Sequence, residues 1–392
     1  MTRERAFFLQ AMGDHLNGRE TAAPETALDW EALLSITKIH QVGGILYHQC
    51  MAFLPPKYAV RLREQYGAAL YYHTNRTAMS AALEEALQAE GIPFFVIKGS
   101  AVAAYYPVPA LRTMGDTDLV IHTEDRMRAH EILLSQGFVN ESHFADREWV
   151  YYKNRMEFEL HDHLVYRETV NRPEHETYFN DFWQYVHDGQ LDWSFHFLFL
   201  LLHLRKHLMN EGVGFRQFMD VAVVAKNAPG LDWNWIGQEL GALGLLDFAR
   251  NVFAMNEAWF GLKTPISANT SDADFFETAT DVVFRNGIFG FDNADNRANR
   301  AVNIARSAEN AHLAMTKSAI RKVFPSYQTL ITVPHYRFLK GKPWLLPAAW
   351  VYRMLRGLSG NRFKRSVRHV GESFTSKETV EERGAFLDRW GL

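Results

Sequence analysis

Apolar residues recur at spacings of three and four in two early stretches, DWEALLSITKIHQVGGILYHQCM (29–51) and LREQYGAALYYHTNRTAMSAALEEALQAEG (62–91). That period puts them on one face of a helix, so both stretches are predicted helical. Gly91 followed by Pro93 ends the second, since glycine tolerates the left-handed turn beyond a helix and proline cannot extend one. From Pro93 the period changes. FFVI (94–97) is a short aromatic and β-branched run, predicted as a buried strand that stops at Lys98-Gly99-Ser100. SAVAAYY (100–106) predicts the first turns of a helix closed by Pro107 and Pro109. DTDLVIH (116–122) reads as a second strand, and TEDRMRAHEILLSQGF (123–138) as a helix with Thr123 at its N-cap and Gly137 just past its end. EWVYYKN (148–154) and RMEFELHDHLV (155–165) alternate as sheet strands do; in the second, Glu157, Glu159, His161 and His163 share one face, and Met156, Phe158, Leu160 and Leu164 the other. A further helix covers 195–209, and ESFTSKETVEERGAFLDRWGL (372–392) predicts a terminal amphipathic helix.

Composition sets the scale. With 392 residues, 47% hydrophobic and 22% charged, the chain can bury a large core and divide into several domains. The expected division is a helical segment over 1–91, a sheet core over 92–190, a helical domain over 191–310 forming the second wall of a cleft, and a basic helical region with its tail over 311–392. The formal net charge of −3 points to no polyanionic partner for the whole molecule, but its distribution is uneven: from Asn310 to Gly371 there are twelve Lys or Arg and no acidic residue. Such a span is either a solvated face or an attractor of phosphate. Within it, 335–369 mixes cations with aromatics, and contact with an anionic surface, nucleic acid or lipid is expected through 317–368. A single cysteine, Cys50, excludes an intramolecular disulfide, and the longest apolar run, FLFLLLHL (197–204), falls short of the roughly 20 residues of a bilayer span. A cytoplasmic protein with no transmembrane segment is expected.

The chemistry concentrates between residues 98 and 161. A strand followed by Gly99-Ser100 and a helix start presents free backbone N–H groups, which suit a phosphate; the plain alternative is a turn. Asp116 and Asp118 alternate on one strand, with Cα atoms about 6.6 Å apart on the same face. Two carboxylates aimed at one volume repel unless a cation lies between them, and a third, Glu159 on a neighbouring strand, would complete an oxygen cage for magnesium. Otherwise the pair is a solvent-facing strand edge. His203 and His207 are four apart on one helix face beside Lys206; such a pair can ligate zinc, but no third ligand at fixed spacing accompanies it. Arg216 and Asp220, at helical spacing, read as an intrahelical ion pair.

The order Lys98-Gly99, Arg112, Gly115-Asp116-Thr117-Asp118-Leu119 and Glu159-Leu160-His161 resembles the DNA polymerase β-like nucleotidyltransferases, and more closely an uncharacterised bacterial branch of that superfamily. The likeness extends to LLHLRKHLMNEGVGFRQFMD (201–220), FPS (324–326) and KPWLLPAAWVYR (342–353). It implies an α+β fold, a small mixed sheet carrying the site between N-terminal and C-terminal helical regions. It implies a magnesium-dependent transfer of NMP from a nucleoside triphosphate to a hydroxyl of an acceptor the sequence does not name, with loss of pyrophosphate. Under it, Lys98, Gly99, Ser100 and Arg112 meet the phosphates, while Asp116, Asp118 and Glu159 hold two magnesium ions, with manganese as the substitute. His161, His203, Lys206 and His207 would support a ligating carboxylate or line the acceptor side. Glu159 stands where the family more often has Asp, which keeps open a non-catalytic nucleotide-binding module. A metal-dependent glycosyltransferase, in which Asp-x-Asp holds a nucleotide-sugar, is the third reading; FFVI alone precedes the pair as a strand, too little for that pocket.

Overall fold

A computed structural model describes residues 1–142, 148–166, 170, 172–210, 212–268, 272–288, 298–299, 302, 324–331, 334–357 and 377–392. The chain forms two compact units, Met1–Phe291 with Arg389–Leu392, and Asp292–Asp388.

The first unit opens on helices α1 (Arg3–Leu16), α2 (Trp30–His40), α3 (Gly43–Cys50) and α4 (Pro56–Ala89). Asp29 caps α2, its carboxylate accepting from the Glu31 and Ala32 N–H groups. The apolar period over 29–51 predicted one helix, but the chain breaks at Gln41, which is left-handed (φ 54°). The break frees the following Gly-Gly pair to pack: a β-carbon on Gly44 would stand 3.5 Å from the Tyr66 Cα of α4. Helix α4 begins on a proline at its first turn and runs for 34 residues. Its buried positions Leu62, Ala69, Arg76 and Leu83 recur at intervals of seven, one stripe of a helix otherwise facing solvent.

The sheet comprises β1 (Phe94–Ile97), β2 (Asp118–Ile121), β3 (Val139–Asn140), β4 (Trp149–Lys153) and β5 (Met156–His161), in the order β1-β2-β5-β4-β3. Only β2 and β5 run parallel; the other neighbours are antiparallel. Between β1 and β2 lies the short helix α5 (Lys98–Ala103), and between β2 and β3 lies α6 (Arg126–Ser135). Helix α5 starts at Lys98, not at Ser100, and Lys98 itself is left-handed (φ 52°), which turns the chain from the strand into the helix. Thr123 does not cap α6. It opens a 3₁₀ turn and makes no capping hydrogen bond, although Gly137 is left-handed beyond the helix end as expected. Leu83 and Leu87 of α4 with Ala129 and Leu133 of α6 pack on Leu119, Ile121, Met156, Phe158 and Leu160 of the sheet, all buried. Burial of each such side chain contributes about 1.5–3 kcal/mol and holds the central strands flat against the helices. Because alternate residues face opposite ways, this core orients Glu157 and Glu159 to the other face.

Beyond the sheet follow α7 (Pro173–Asn180), a two-stranded ribbon of β6 (Val186–His187) and β7 (Gln190–Leu191), and helices α8 (Trp193–Asn210), α9 (Phe215–Asn227), α10 (Trp233–Ala242), α11 (Leu246–Phe260) and α12 (Ala273–Asn286). The architecture is α+β, a small mixed sheet with helices before and after it in the chain. In the second unit, α13 (Tyr327–Ile331) and α14 (Leu346–Gly357) surround a small core of Leu330, Tyr336, Leu339 and Ala349. The predicted terminal helix is α15 (Lys377–Arg389). Residues 317–323, 332–333 and 358–368 of the basic span lie outside the described residues. No helix among the described residues is long and apolar enough to cross a membrane.

Candidate active site

The parallel register of β2 and β5 sets Asp118 opposite Glu159 and Val120 opposite His161. Residues in register on adjacent strands project from the same face, and so does a residue two further along. Asp118, Glu159 and His161 therefore converge: one atom from each lies within 4.8 Å of the others, a group that can hold a metal ion. His161 Nε2 is 2.9 Å from Asp118 Oδ1 and 3.2 Å from Glu159 Oε2. On the other side, β1 pairs Ile97 with Asp118, and the next residue, Lys98, sets its Nζ 2.7 Å from the same Asp118 Oδ1.

Charge in this group is balanced internally. Burial would push the Asp118 carboxyl up, but the Lys98 ammonium and the His161 hydrogen bond hold it well below the usual carboxylate range. Burial would lower the His161 imidazole, yet its hydrogen bonds to Asp118 and Glu159 raise it to about 9, so it is protonated in neutral solution. Asp116 precedes β2 and stands outside the three-residue group. Burial and the like charge of Asp118 raise its pKa, as expected for a carboxylate crowded against another.

Two braces hold the segment between α5 and β2. Arg76, in the buried stripe of α4, donates to Thr117 Oγ1 (2.8 Å), the Glu157 carbonyl (2.9 Å) and the Gly115 carbonyl (3.0 Å). Arg112 is buried and bidentate to Asp220 of α9, through Nε (3.1 Å) and Nη2 (2.6 Å), and Tyr106 donates its hydroxyl to the same carboxylate at 2.7 Å. The predicted Arg216–Asp220 pair is thus replaced. Asp220 turns to Arg112, and Arg216 donates to the Thr113 carbonyl at 2.8 Å. The physical reason is that a bidentate, desolvated guanidinium partner outcompetes a single contact along the helix surface.

The other predicted residues distribute as follows. The Lys98 N–H donates to His196 Nε2 (3.1 Å), and burial lowers the His196 pKa to about 3, which keeps it a neutral acceptor. Gly99 is buried, and its missing side chain makes room for Arg112: a β-carbon there would fall 2.2 Å from Nη1. Helix α5, which follows β1 at this turn, is six residues long. The Ser100 hydroxyl lies 3.5 Å from the Met114 sulfur. Lys98, His161, Phe199, His203 and Lys206 line a common small cavity. His203 and His207 share a 3.0 Å contact between Nε2 atoms, and burial holds the His203 pKa well below its ordinary value. Among the described residues they join no three-ligand group. His163 is outside the site and contacts Asp162.

Residues 26–261 match the family model described as uncharacterised nucleotidyltransferase. The chain belongs to this nucleotidyltransferase family. No curated protein and no solved structure matches it. Membership gives the nucleotidyltransferase a general nucleotidyl-transfer role and a nucleotide as substrate. Its buried carboxylates suit a divalent cation: Asp118 and Glu159 offer hard oxygen donors, and in their present state Lys98 and His161 supply the positive charge those oxygens require. Sequence reading missed Arg76 and His196, and gave Asp220 the wrong partner. For Arg76 a signal existed, since it interrupts the seven-residue stripe of Leu62, Ala69 and Leu83 that an apolar residue would continue. His196 and Asp220 act on partners 98 and 108 residues away, which no local pattern marks.

Proposed function

We propose that this nucleotidyltransferase, on a polymerase β-like core, moves an NMP unit from a nucleoside triphosphate to an acceptor hydroxyl and releases pyrophosphate. The carrying observation is the in-register pairing of Asp118 with Glu159, beside Lys98 and His161, in a chain of this family. Asp116, Asp118 and Glu159 are the residues that would hold two magnesium ions, or manganese in their place. Bound there, such ions neutralise charge on the transferring phosphoryl group and lower the pKa of the attacking hydroxyl. His161 spans Asp118 and Glu159 with one N–H and fixes their separation. Lys98 and Lys206, which both line the small cavity, would draw the triphosphate towards the carboxylates, with the Ser100 hydroxyl and the Gly99 backbone as further phosphate contacts. Arg112 acts through position: it locks α5 to α9 behind Gly99.

The test supplies each α-labelled triphosphate with magnesium and cell-extract metabolites as acceptors, and follows pyrophosphate release and label transfer. Glu159→Gln should lower both by at least about 10³-fold, equivalent to ~4 kcal/mol of transition-state stabilisation. Its melting curve should stay close to that of the unaltered protein, because Glu159 is 17% exposed and its neighbour His161 keeps Asp118. Turnover no higher than that of Glu159→Gln would defeat the reading. One observation favours a second reading: Asp118 Oδ1 already receives both Lys98 and His161. A non-catalytic nucleotide-binding module would bind triphosphate tightly without releasing pyrophosphate.

A further inference from the structure

A second cavity lies on the far side of the Arg112–Gly115 segment, walled by α2, α3 and α4. Its volume, about 730 Å³, is that of a small-molecule pocket and well short of a polymer groove. Five cationic side chains, Lys38, Arg61, Arg76, Arg112 and Arg155, face it against one acid, Glu64. Arg112 is neutralised by Asp220 and Arg61 by Glu31. Lys38 and Arg155 have no carboxylate in salt-bridge reach among the described residues. Arg76 is 6% exposed, and its hydrogen-bond partners are two carbonyls and a hydroxyl rather than a carboxylate. The carboxylates of Asp116 and Glu157 act on its charge from nearby without hydrogen-bonding to it, so the guanidinium can still attract an anion from the cavity side. Arg155 is held at φ 64° in the tight β4–β5 turn, a position where glycine is the ordinary choice. Tyr72, 42% exposed, offers the cavity an aromatic face.

The placement relative to the carboxylates gives this cavity a role. Its wall ends at Gly115, which is exposed with open space where a side chain would stand, one residue from Asp116. Arg76 reaches from the cavity to the Glu157 carbonyl, two residues from Glu159. The large cavity thus ends one residue from Asp116, beside the carboxylate group, where the second substrate of a transfer has to stand.

We propose that the cavity between α2–α4 and the Arg112–Gly115 segment is the acceptor pocket. It takes a small ring-bearing molecule with a phosphate or carboxylate group, the ring on Tyr72 and the anion on Lys38, Arg76 and Arg155. This inference rests on the transfer reading above for the word acceptor, but not for the binding itself.

Calorimetry with phenyl phosphate, benzoate and benzyl alcohol tests it on the full chain, and the same protein is titrated separately with magnesium and ATP. Phenyl phosphate or benzoate should bind at least tenfold more tightly than benzyl alcohol, and the stronger of the two identifies the anion. The double variant Lys38→Glu/Arg155→Glu, both residues being exposed, should weaken that binding at least tenfold and leave ATP binding within twofold. Equal binding of benzyl alcohol, no binding of either anion, or no effect of charge reversal overturns the pocket. Anion binding at the pocket with no ATP binding or turnover would overturn the transfer reading and leave the pocket standing; ATP turnover with no anion binding would do the reverse.

Discussion

The Arg112 guanidinium occupies the space that a β-carbon on residue 99 would take, and it cannot swing aside because Asp220 grips it at two points. Gly99→Ala should therefore destabilise the protein by about 1–3 kcal/mol, the usual penalty of overpacking, and lower the urea midpoint. An unchanged midpoint would show that Arg112 is free to move. Lys98-Gly99-Ser100 was legible as a turn after a strand; that the glycine also admits a side chain thirteen positions on was not, because the contact has no local signature. Asp118, Glu159 and His161 were legible individually, because alternation along each strand fixes their face.

At the scale of elements, α5, α9 and the segment before β2 are joined by Asp220, which binds Arg112 and Tyr106 at once. Asp220→Asn would leave a buried guanidinium without its counter-charge and should cost about 3–5 kcal/mol in chemical denaturation. Arg216→Met removes hydrogen bonds to Thr113 and Gln41 only, and should cost about 1–2 kcal/mol. Equal losses from the two variants would restore the intrahelical pair. Strands β1, β2, β4 and β5 were legible since short β-branched and aromatic runs have few other conformations to choose. The break at Gln41 was not, because α2 and α3 continue the same apolar period and only their packing on α4 requires the turn between them.

For the whole molecule, buried neutral histidines set the response to acid. His15, His40 and His196 are at most 1% exposed, and burial lowers their pKa values to about 4, 3 and 3. Each folded pKa lies below the ordinary 6.5, so the unfolded chain takes up protons first. The contribution of these three sites is complete above about pH 6.5 and falls as pH drops towards 3–4, whereas that of His161, raised to about 9, is lost as pH rises towards 9. Between pH 7 and pH 5 each of the three sites should remove about 2 kcal/mol, from ~1.4 kcal/mol per unit. Urea midpoints across that range check it, and a flat profile would mean that these rings are protonated in the fold. By itself the amino-acid order marked the strands β1, β2, β4 and β5, the helices α4, α6, α8 and α15, the face each of those strands turns from the core, and the acids 116, 118 and 159 as candidates, because these follow from spacing within one segment. The partners of Lys98, Arg76, Arg112 and Asp220, the register that sets Asp118 against Glu159, and the cavities beside them were decided by tertiary packing. Each joins segments far apart in the chain, and only the folded arrangement of neighbouring elements determines which of many possible charges and hydrogen-bond acceptors stands within 3 Å.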